Sequence, residues 1–385
     1  MAKITWTVLA GASATDISSK VLSINMTFGR QKYLDTYSGN SVQVTINNAG
    51  DFASTLAFNA PIYISGNIGS GPGTDIGIYQ RWYIQEVNFN DYPGNTGLNT
   101  ATITAVDFMS RAGRINISNF AFAQVTTAEQ AITLTNILPA DMAVTALYPL
   151  QGSIASASTY TGTVANYLNY LQTTERGILV QNNFSCVFVT RSQLSNFSVG
   201  SYTLGRTTSS TQVAYQDIKR IQNGIQFINN ATVASSGLTS QTATNASSIT
   251  TYGSTFYSST SVDATETQAL GNAQWIANTF SNPTSLRYET NVNDWTQNGT
   301  ALLGWLRQLF LQVGSTVNPF YMSKLYYQPP GGSSTAVDVV LEGFNVNVLP
   351  DGAVFNMSWS PLQYYQFFTL DSATLGILDT SRLGW

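Results

Sequence analysis

Short segments in which apolar and polar residues alternate, each closed by turn-forming residues, constrain the fold of this 385-residue chain most. Alternation with a period of two residues is typical of half-buried strands, and the Gly, Asn and Asp residues between the segments favour tight turns. Such segments in the first 111 residues are Ile4–Leu9, Val21–Phe28, Ser41–Asn47, Pro61–Gly66, Ile76–Asn90 and Asn99–Val106. These spacings predict a small barrel or curled sheet of antiparallel strands.

The last sixty residues repeat this pattern. A strand that runs into Pro329–Gly332 is followed by a strand at Val337–Val348, a turn at Pro350–Gly352 and a strand at Ala353–Trp359. Proline fixes φ and glycine tolerates positive φ, so both turns are expected to be tight and the strands to form a meander.

The segment after Pro361 is rich in aromatic and aliphatic residues. A terminus of this composition is expected to dock on its own core or on another subunit. The suspected contact residues of this C-terminal arm are Tyr364, Tyr365, Phe367, Phe368, Leu370, Leu375, Leu378, Leu383 and Trp385.

Helical periodicity appears between the two strand-rich regions. Thr126 and Glu129 have the spacing of a capping box, and apolar residues recur at helical intervals through Thr163–Glu175. Gly177 is expected to close that second helix as its C-cap. The strands GILVQ and SCVFVTR follow, so this region is predicted to be a compact α+β unit.

The Ser- and Thr-rich stretch 235–261 has the composition of a loop. A short ordered turn at Ser247–Gly253, leading to a strand at Ser254–Ser258, is the alternative. The strongest helical pattern follows, with Asp263 and Glu266 as expected capping residues. A later apolar stretch, 301–311, is predicted to be a core helix or an interface helix.

Composition argues against most catalytic chemistry. The chain contains no histidine, which excludes Ser-His-Asp triads and nearly all catalytic zinc sites. Its one cysteine, Cys186, lies in a strand-like run and is expected to be a buried structural thiol. Asp107 is expected to cap a short helix at Phe108–Arg111. We therefore predict no catalytic, cofactor-binding or metal-binding residue, no cofactor and no enzymatic activity.

Two other functions stay open at this stage. A glycoside hydrolase would need paired carboxylates, and the candidate pairs are Glu175 with Asp217 and Asp294 with Glu342. A carbohydrate-binding adhesin would use the many Tyr and Trp residues, but burial in cores and subunit contacts is the favoured explanation of these residues.

Charge and hydropathy limit the partners. Only 9% of the residues are charged and the formal net charge is −4, so no basic patch is present that would neutralise phosphates. The N-terminus alternates like a strand and is not expected to be a signal peptide. No apolar run approaches about 18 residues, and no membrane span is predicted.

Four stretches together resemble the tail-tip or baseplate hub proteins of long-tailed bacteriophages, which are related to the hubs of contractile tails and the spike hubs of type VI secretion. They occur in the family's order and spacing. They are DISSKVLSINMTFGRQKYLDTYSGNSVQVTINNAGDF, ATITAVDFMSR, NYLNYLQTTERGILVQNNFSCVFVTR, and the meander with its ending QYYQFFTLDSATLGILDTSRLGW.

The resemblance implies an α+β, mainly β fold in which two small β-barrel-like domains are interleaved with α+β inserted domains. Its expected divisions are a first barrel-like, tube-docking domain at 1–111, an α+β domain at 112–199 with an inserted helix-containing part at 229–285, a second barrel-like domain from 200–228 plus 286–360, and the arm at 361–385.

The resemblance also implies a structural hub. Three copies would form a ring that joins the six-fold tail tube to the tip or spike and lines the channel for tape measure and DNA. Expected partners are the chain itself as a homotrimer, the tail tube or distal tail protein, the tape-measure protein, a central tip, spike or receptor-binding protein, and DNA in transit. The expected location is the virion tail tip or baseplate, after synthesis in the host cytoplasm. A hexameric distal tail adaptor is the alternative, and the C-terminal meander with its LDTSRLGW ending favours the hub.

Overall fold

The structure is a computed structural model that describes residues 3–48, 55–69, 74–146, 150, 152–182, 185–191, 194, 200–222, 227–283, 286–310 and 322–365. Strands predominate over helices in this part of the chain, so the predicted mainly β, α+β class is confirmed.

The elements are numbered in chain order. The strands are β1 Ile4–Ala10, β2 Thr15–Asp16, β3 Val21–Gly29, β4 Ser41–Asn47, β5 Pro61–Ile68, β6 Asp75–Asn90, β7 Thr100–Val106, β8 Asn116–Phe122, β9 Ala143–Ala146, β10 Ser158–Thr163, β11 Ile178–Asn182, β12 Ser185–Val189, β13 Thr203–Gly205, β14 Gln212–Ala214, β15 Asp217–Gln222, β16 Asn230–Ser235, β17 Gln241–Thr244, β18 Phe256–Ser261, β19 Leu286–Asn293, β20 Met322–Tyr327, β21 Thr335–Leu349 and β22 Gly352–Pro361. The helices are α1 Phe108–Ala112, α2 Thr127–Thr133, α3 Val164–Glu175, α4 Ala246–Tyr252, α5 Glu266–Thr279 and α6 Gly299–Phe310.

The predicted strands of both β-rich regions form, with ends that differ from the expected ones by a few residues. In β4 the side chains of Val42, Val44 and Ile46 are buried, while those of Ser41 and Gln43 are exposed. Alternation of this kind fixes the register, because a slip of one residue would turn every apolar side chain to the solvent face.

One large sheet dominates the fold. Eleven of its 14 described strands follow the path β14-β13-β20-β21-β3-β4-β7-β6-β5-β1-β2. The other three form a branch in which β22 pairs with β21, β19 with β22, and β15 with β19. In the described residues no pairing joins the two ends of this path, so the sheet is open there.

The sheet contains the same five-strand order twice. The first copy, β5-β6-β7-β4-β3, and the second copy, β20-β21-β22-β19-β15, are both antiparallel throughout. The strand flanking each copy differs, since β1 is antiparallel to β5 whereas β13 is parallel to β20. We call the two sets the first repeat and the second repeat.

The two repeats also agree in register. The long strand of each repeat has one extra residue where it pairs with the strand that follows it. This residue is Gln85 in β6, opposite β7, and Glu342 in β21, opposite β22. Aligning these two residues makes Tyr83 equivalent to Val340. Tyr83 pairs with Pro61, the first residue of β5, and Val340 pairs with Met322, the first residue of β20. The two repeats therefore correspond residue by residue along these strands.

Two hydrophobic cores organise the chain. One lies beneath both repeats and contains Trp82, Trp305 and Trp359. The other joins α3, α5 and the small sheets of the inserted segments, with Tyr167 and Phe280 among its largest buried residues. Helix α6 belongs to the first of these cores, because Leu302, Trp305, Leu306 and Leu309 are buried, so it is a core helix.

The prediction of a loop at 235–261 is wrong. Strands β17 and β18 flank β16, and α4 lies between them, so the alternative of an ordered turn followed by a strand is the better description. Ala231 and Val233 face the core, while the Ser and Thr residues of the same sheet mostly face outward. Short strands of this kind need few apolar residues because only one face is covered.

Two predicted helix caps are also wrong. Thr265 caps α5 by accepting a hydrogen bond from the Gln268 backbone, whereas Asp263 is buried and accepts hydrogen bonds from Ser261 and Asn272. At the end of α3 the left-handed residue is Arg176 instead of Gly177.

Arg176 is held in place by its side chain. Its guanidinium donates to Asn272 Oδ1 and lies 4.5 Å from the centre of the Trp275 ring, and these contacts offset the cost of the left-handed backbone. Gly177 has a different role, because a Cβ there would clash with the carbonyl oxygen of Val189.

Candidate assembly surface

The two repeats meet where β3 pairs with β21. Gly29 lies directly opposite Gly343, and a Cβ added to Gly343 would lie 2.6 Å from the carbonyl oxygen of Phe28. Gly29 has φ +75°, a conformation that glycine adopts without strain. Beside the glycines, the rings of Phe28 and Phe344 stack at 4.4 Å. We call this pairing the seam.

A buried polar cluster lies next to the seam. Arg30 Nε donates to Glu342 Oε2 at 2.8 Å, and Tyr365 OH donates to Glu342 Oε1 at 2.7 Å. The Arg30 guanidinium also lies 5.0 Å from the ring centre of Tyr33 and 4.8 Å from that of Tyr37. Burial, followed by the nearby Glu342 carboxylate, raises the pKa of Tyr365, which therefore stays protonated as a donor.

On the second repeat, the solvent face of the sheet carries rows of polar side chains that cross from strand to strand. One row starts at Thr27 of β3 and continues through Asn345, Asn356, Asn291 and Asp217. Within it, Asn291 Nδ2 donates to Asn356 Oδ1 at 2.8 Å. Cross-strand amide pairs of this type stabilise a sheet face without charge.

The first repeat carries the same kind of face. Thr45, Thr102 and Asn88 form one cross-strand row, and Gln43, Thr104 and Glu86 form the next. The two repeats therefore present one continuous polar surface, which we call the polar face. An open groove of about 860 Å³ lies on the second repeat beside the seam, lined by residues of the row that starts at Thr27 and by loop residues 30–40.

Sequence reasoning missed the polar face, although a signal for it was present. Val87-Asn88-Phe89-Asn90 in β6 and Phe344-Asn345-Val346-Asn347 in β21 occupy equivalent positions and share alternating Asn. Asparagine is usually depleted in strands, so its recurrence on one face indicates a surface with a role other than packing.

The candidate carboxylate pairs of a hydrolase are not brought together. Asp294 accepts hydrogen bonds from the backbone of Ile4 and Ala353. Glu342 lies at the irregularity opposite Trp359, five or six residues further along the hairpin than Ala353, so the backbone positions of Glu342 and Asp294 are about 17–20 Å apart. Glycosidases need separations below about 10 Å.

The other pair also has a structural environment. Glu175 is buried and accepts hydrogen bonds from Thr127 Oγ1 at 2.8 Å and from the Ser153 backbone at 2.6 Å. Asp217, by contrast, is exposed and contributes to the polar face. The two carboxylates thus belong to different parts of the fold.

Asp107 and Cys186 have the structural positions predicted for them. Asp107 accepts a hydrogen bond from the Ser110 backbone at 2.8 Å and so caps α1, and it also accepts from Asn40 Nδ2 at 2.7 Å. Burial raises the pKa of Asp107 despite these donors. Cys186 is buried, and burial likewise raises the pKa of its thiol.

The raised pKa of Asp107 predicts a pH effect. The folded chain binds its proton more tightly than the unfolded chain, so this carboxyl makes the free energy of unfolding fall as pH rises from about 3.9 through the raised folded value. Asp107→Asn should remove this component. Urea unfolding between pH 4 and 7 is the measurement, and parallel pH profiles for both proteins would contradict the assignment.

The arm residues divide into two groups. Tyr364 and Tyr365 are buried in the chain's own second core, where Tyr33 packs edge-on against Tyr365 at 4.7 Å between ring centres. These two residues therefore anchor the arm to its own chain. The other suspected contact residues lie outside the described residues; they are Phe367, Phe368, Leu370, Leu375, Leu378, Leu383 and Trp385.

No helix in the described residues is both long and apolar enough to cross a membrane. No group of three or more Cys, Asp or Glu side chains in the described ranges is arranged to hold a metal ion.

Comparisons with known proteins place this fold. No protein-family model and no curated protein matches the sequence. Among solved structures, a tail protein from Neisseria meningitidis MC58 has a TM-score of 0.61 at 11% identity, with 93% of this chain and 96% of that chain covered. The 43 kDa tail protein of prophage MuSo2 from Shewanella oneidensis has a TM-score of 0.57 at 10% identity, with 94% and 99% covered.

A third match is the prophage tail protein gp18 from Listeria monocytogenes EGD-e, with a TM-score of 0.50 at 10% identity and 92% and 94% of the two chains covered. These matches span nearly all of each chain, so the likeness is not confined to one module. The chain has the fold of phage tail proteins, as its sequence resemblance predicts.

Proposed function

We propose that this chain is a structural hub of a phage tail tip or baseplate, and that it acts by assembly instead of catalysis. The observation that carries the proposal is the five-strand repeat with its continuous polar face. The similar structures support it, since three that match over nearly their whole length are described as tail proteins. The chain's location would be the tail of a virion.

In this proposal the repeats are the two barrel-like modules, at 1–111 and at 200–228 plus 286–360. Three copies of a chain with two modules present six similar modules, which matches a six-fold tail tube. A hexameric adaptor would reach six modules with only one per chain, so the repeat favours the hub. The tail tube or distal tail protein and a tip, spike or receptor-binding protein would be the axial partners.

The polar face would line the channel. Its rows consist largely of Asn, Thr, Ser and Gln, and its charged members include both signs; they are Asp217, Lys219, Arg287, Glu289 and Glu86, of which Arg287 is paired with Glu289. Tight binding of DNA depends on many Lys or Arg contacts to phosphates, and this face offers few. Neutral, hydrated side chains suit a conduit through which the tape-measure protein and then DNA pass.

The C-terminal arm provides a test of the assembly role. Deleting Leu370–Trp385 leaves Tyr364 and Tyr365 in the core, so the midpoint of thermal unfolding should change by less than about 3 °C, equivalent to under 1 kcal/mol. Tail assembly should nevertheless fail, because the arm is proposed to contact a neighbouring subunit or tail component. The measurement is electron microscopy of particles made with the truncated chain. Normal tails would refute the role of the arm.

A further inference from the structure

We propose that the outer face of the sheet formed by β16, β17 and β18 binds a neutral polysaccharide. The inference goes beyond the proposed hub role, because this sheet belongs to the inserted helix-containing part and not to the polar face of the repeats. We call the surface the hydroxyl face. Its residues are Asn230, Thr232, Ala234, Thr242, Thr244, Phe256, Ser258 and Thr260.

The strand register arranges the hydroxyl face in cross-strand rows. In one row Asn230 lies between Phe256 and Thr244. With about 4.8 Å between strands and about 6.7 Å between successive residues of one face, the surface measures about 10 Å by 13 Å. The next row consists of Ser258, Thr232 and Thr242.

The hydroxyl face carries no charge. Segment 221–262, from which its strands are built, contains no Asp, Glu, Lys or Arg. Protein surfaces usually carry about 25–35% charged residues, and charged side chains also protect edge strands from pairing with other chains. A face without charge complements a ligand without charge, whereas a polyanion such as nucleic acid needs Lys or Arg contacts that this face lacks.

Two aromatic side chains are exposed on this neutral surface. Phe256 is 61% exposed, and Tyr252 at the end of α4 is 54% exposed. The Tyr252 ring packs edge-on against Phe227 at 5.6 Å between ring centres, which leaves much of it open to solvent. The face of an aromatic ring is apolar and electron-rich, and the C–H groups on one side of a sugar ring stack well on such a plane.

A buried asparagine holds the turn that carries both aromatic residues. Asn229 Oδ1 accepts a hydrogen bond from the Thr255 backbone at 2.8 Å, and Asn229 Nδ2 donates to the Gly253 carbonyl at 2.7 Å. The Thr255 carbonyl accepts from the backbone N–H groups of Asn229 and Asn230. The two rings are thus presented by an ordered turn, so a ligand that stacks on them loses little affinity to ordering this segment.

Neutral hydrogen-bonding groups lie at the same end of the sheet. Asn230 and Thr244 share the row of Phe256. Asn245 follows Thr244, and its Nδ2 donates to Oδ1 of the exposed Asn278 at 3.2 Å. Amide and hydroxyl side chains both donate and accept hydrogen bonds, as the hydroxyl groups of a sugar do. An apolar plane beside such groups has the chemistry that recognises a neutral sugar.

The shape of the hydroxyl face favours a polymer over a small molecule. Ligand pockets bury about 70–90% of a small molecule, and an open sheet face cannot do so. Each sugar ring would therefore contribute little binding energy by itself, and several rings of one polysaccharide would have to lie along the rows. In the proposed ring of three copies, three such faces would act together and raise the avidity.

Glycan binding by the full-length chain in solution tests the proposal. The probes are two sets of oligosaccharides, one of neutral hexoses and N-acetylhexosamines and one of the same backbones carrying uronate or phosphate groups. The chain should bind members of the neutral set and bind their anionic counterparts more weakly. Phe256→Ala should lower the affinity about tenfold, whereas Phe256→Tyr keeps the ring and should stay within about threefold of the natural chain.

Phe58→Ala is the matched control, because Phe58 is a 73% exposed phenylalanine in the connection between β4 and β5. It should leave glycan binding unchanged. Three results would overturn the proposal: no binding of any neutral oligosaccharide, equal losses from the Phe58 and Phe256 substitutions, or preference for the anionic set. Phe256-dependent capture of another tail protein without glycan binding would assign the face to a protein partner and would also overturn it.

The outcomes separate this inference from the proposed function. Phe256-dependent glycan binding by a chain that is dispensable for tails would keep the hydroxyl face as a binding site and refute the hub. Conversely, tails that require a chain with no affinity for glycans would keep the hub and refute this site.

Discussion

Replacing Arg30 with Met is expected to lower the free energy of unfolding by about 3 to 5 kcal/mol. Arg30 and Glu342 are both buried, and their ion pair is completed by the hydroxyl of Tyr365. Removing the guanidinium leaves the Glu342 carboxylate without its ion-pair partner in the core, which is the main source of the loss. Urea unfolding at pH 7 is the measurement.

Two controls sharpen this prediction. Lys324→Met breaks a half-exposed pair with Asp338 at 3.6 Å and should cost no more than about 1 kcal/mol. Arg30→Met/Glu342→Leu removes both buried charges and should recover part of the loss. If Arg30→Met were as mild as Lys324→Met, the buried pair would not hold the seam to the start of the arm.

Trp305→Ala is expected to have an effect of similar size, a loss of about 3 to 5 kcal/mol. Trp305 is fully buried in α6, lies 6.3 Å from the ring centre of Trp359 and donates a hydrogen bond to Ser323 Oγ at 3.0 Å. Truncation would leave a large cavity beneath the second repeat and an unpaired hydroxyl. Differential scanning calorimetry measures the loss.

Trp295→Ala is the matched control, since Trp295 is 39% exposed. It should cost about 1 kcal/mol or less, because little apolar area is lost and no closed cavity forms. Equal losses from the two substitutions would mean that α6 is not a core helix.

Local features of the fold could be predicted from the sequence. The strands of both β-rich regions follow from alternation, and the capping box at Thr126 and Glu129 follows from spacing alone. Asp107 as an N-cap was likewise predictable. These features depend on residues within a few positions of each other, which is the range over which period and turn chemistry act.

Features that depend on distant residues could not be predicted in this way. Arg30 and Glu342 are 312 residues apart, so no local pattern links them. The repeat is also hidden, because equivalent positions differ in chemistry: Gln43 corresponds to Glu289, and Thr27 corresponds to Ile221. Only strand order and the shared irregularity reveal it.

The misplaced cap at the end of α3 has a similar cause. Glycine is the usual left-handed residue after a helix, and propensity therefore favours Gly177. The contacts that hold Arg176 come from Asn272 and Trp275 in another segment. Tertiary contacts of this kind override local preference and can be read only from the structure.

The central claim is that three copies, each with two β repeats, form one ring. Native mass spectrometry of the full-length chain over a range of concentrations tests it most directly. If the ring forms, a species of three times the 41.6 kDa chain mass should grow with concentration at the expense of monomer. A hexamer, a dimer, or monomer at every concentration would contradict it.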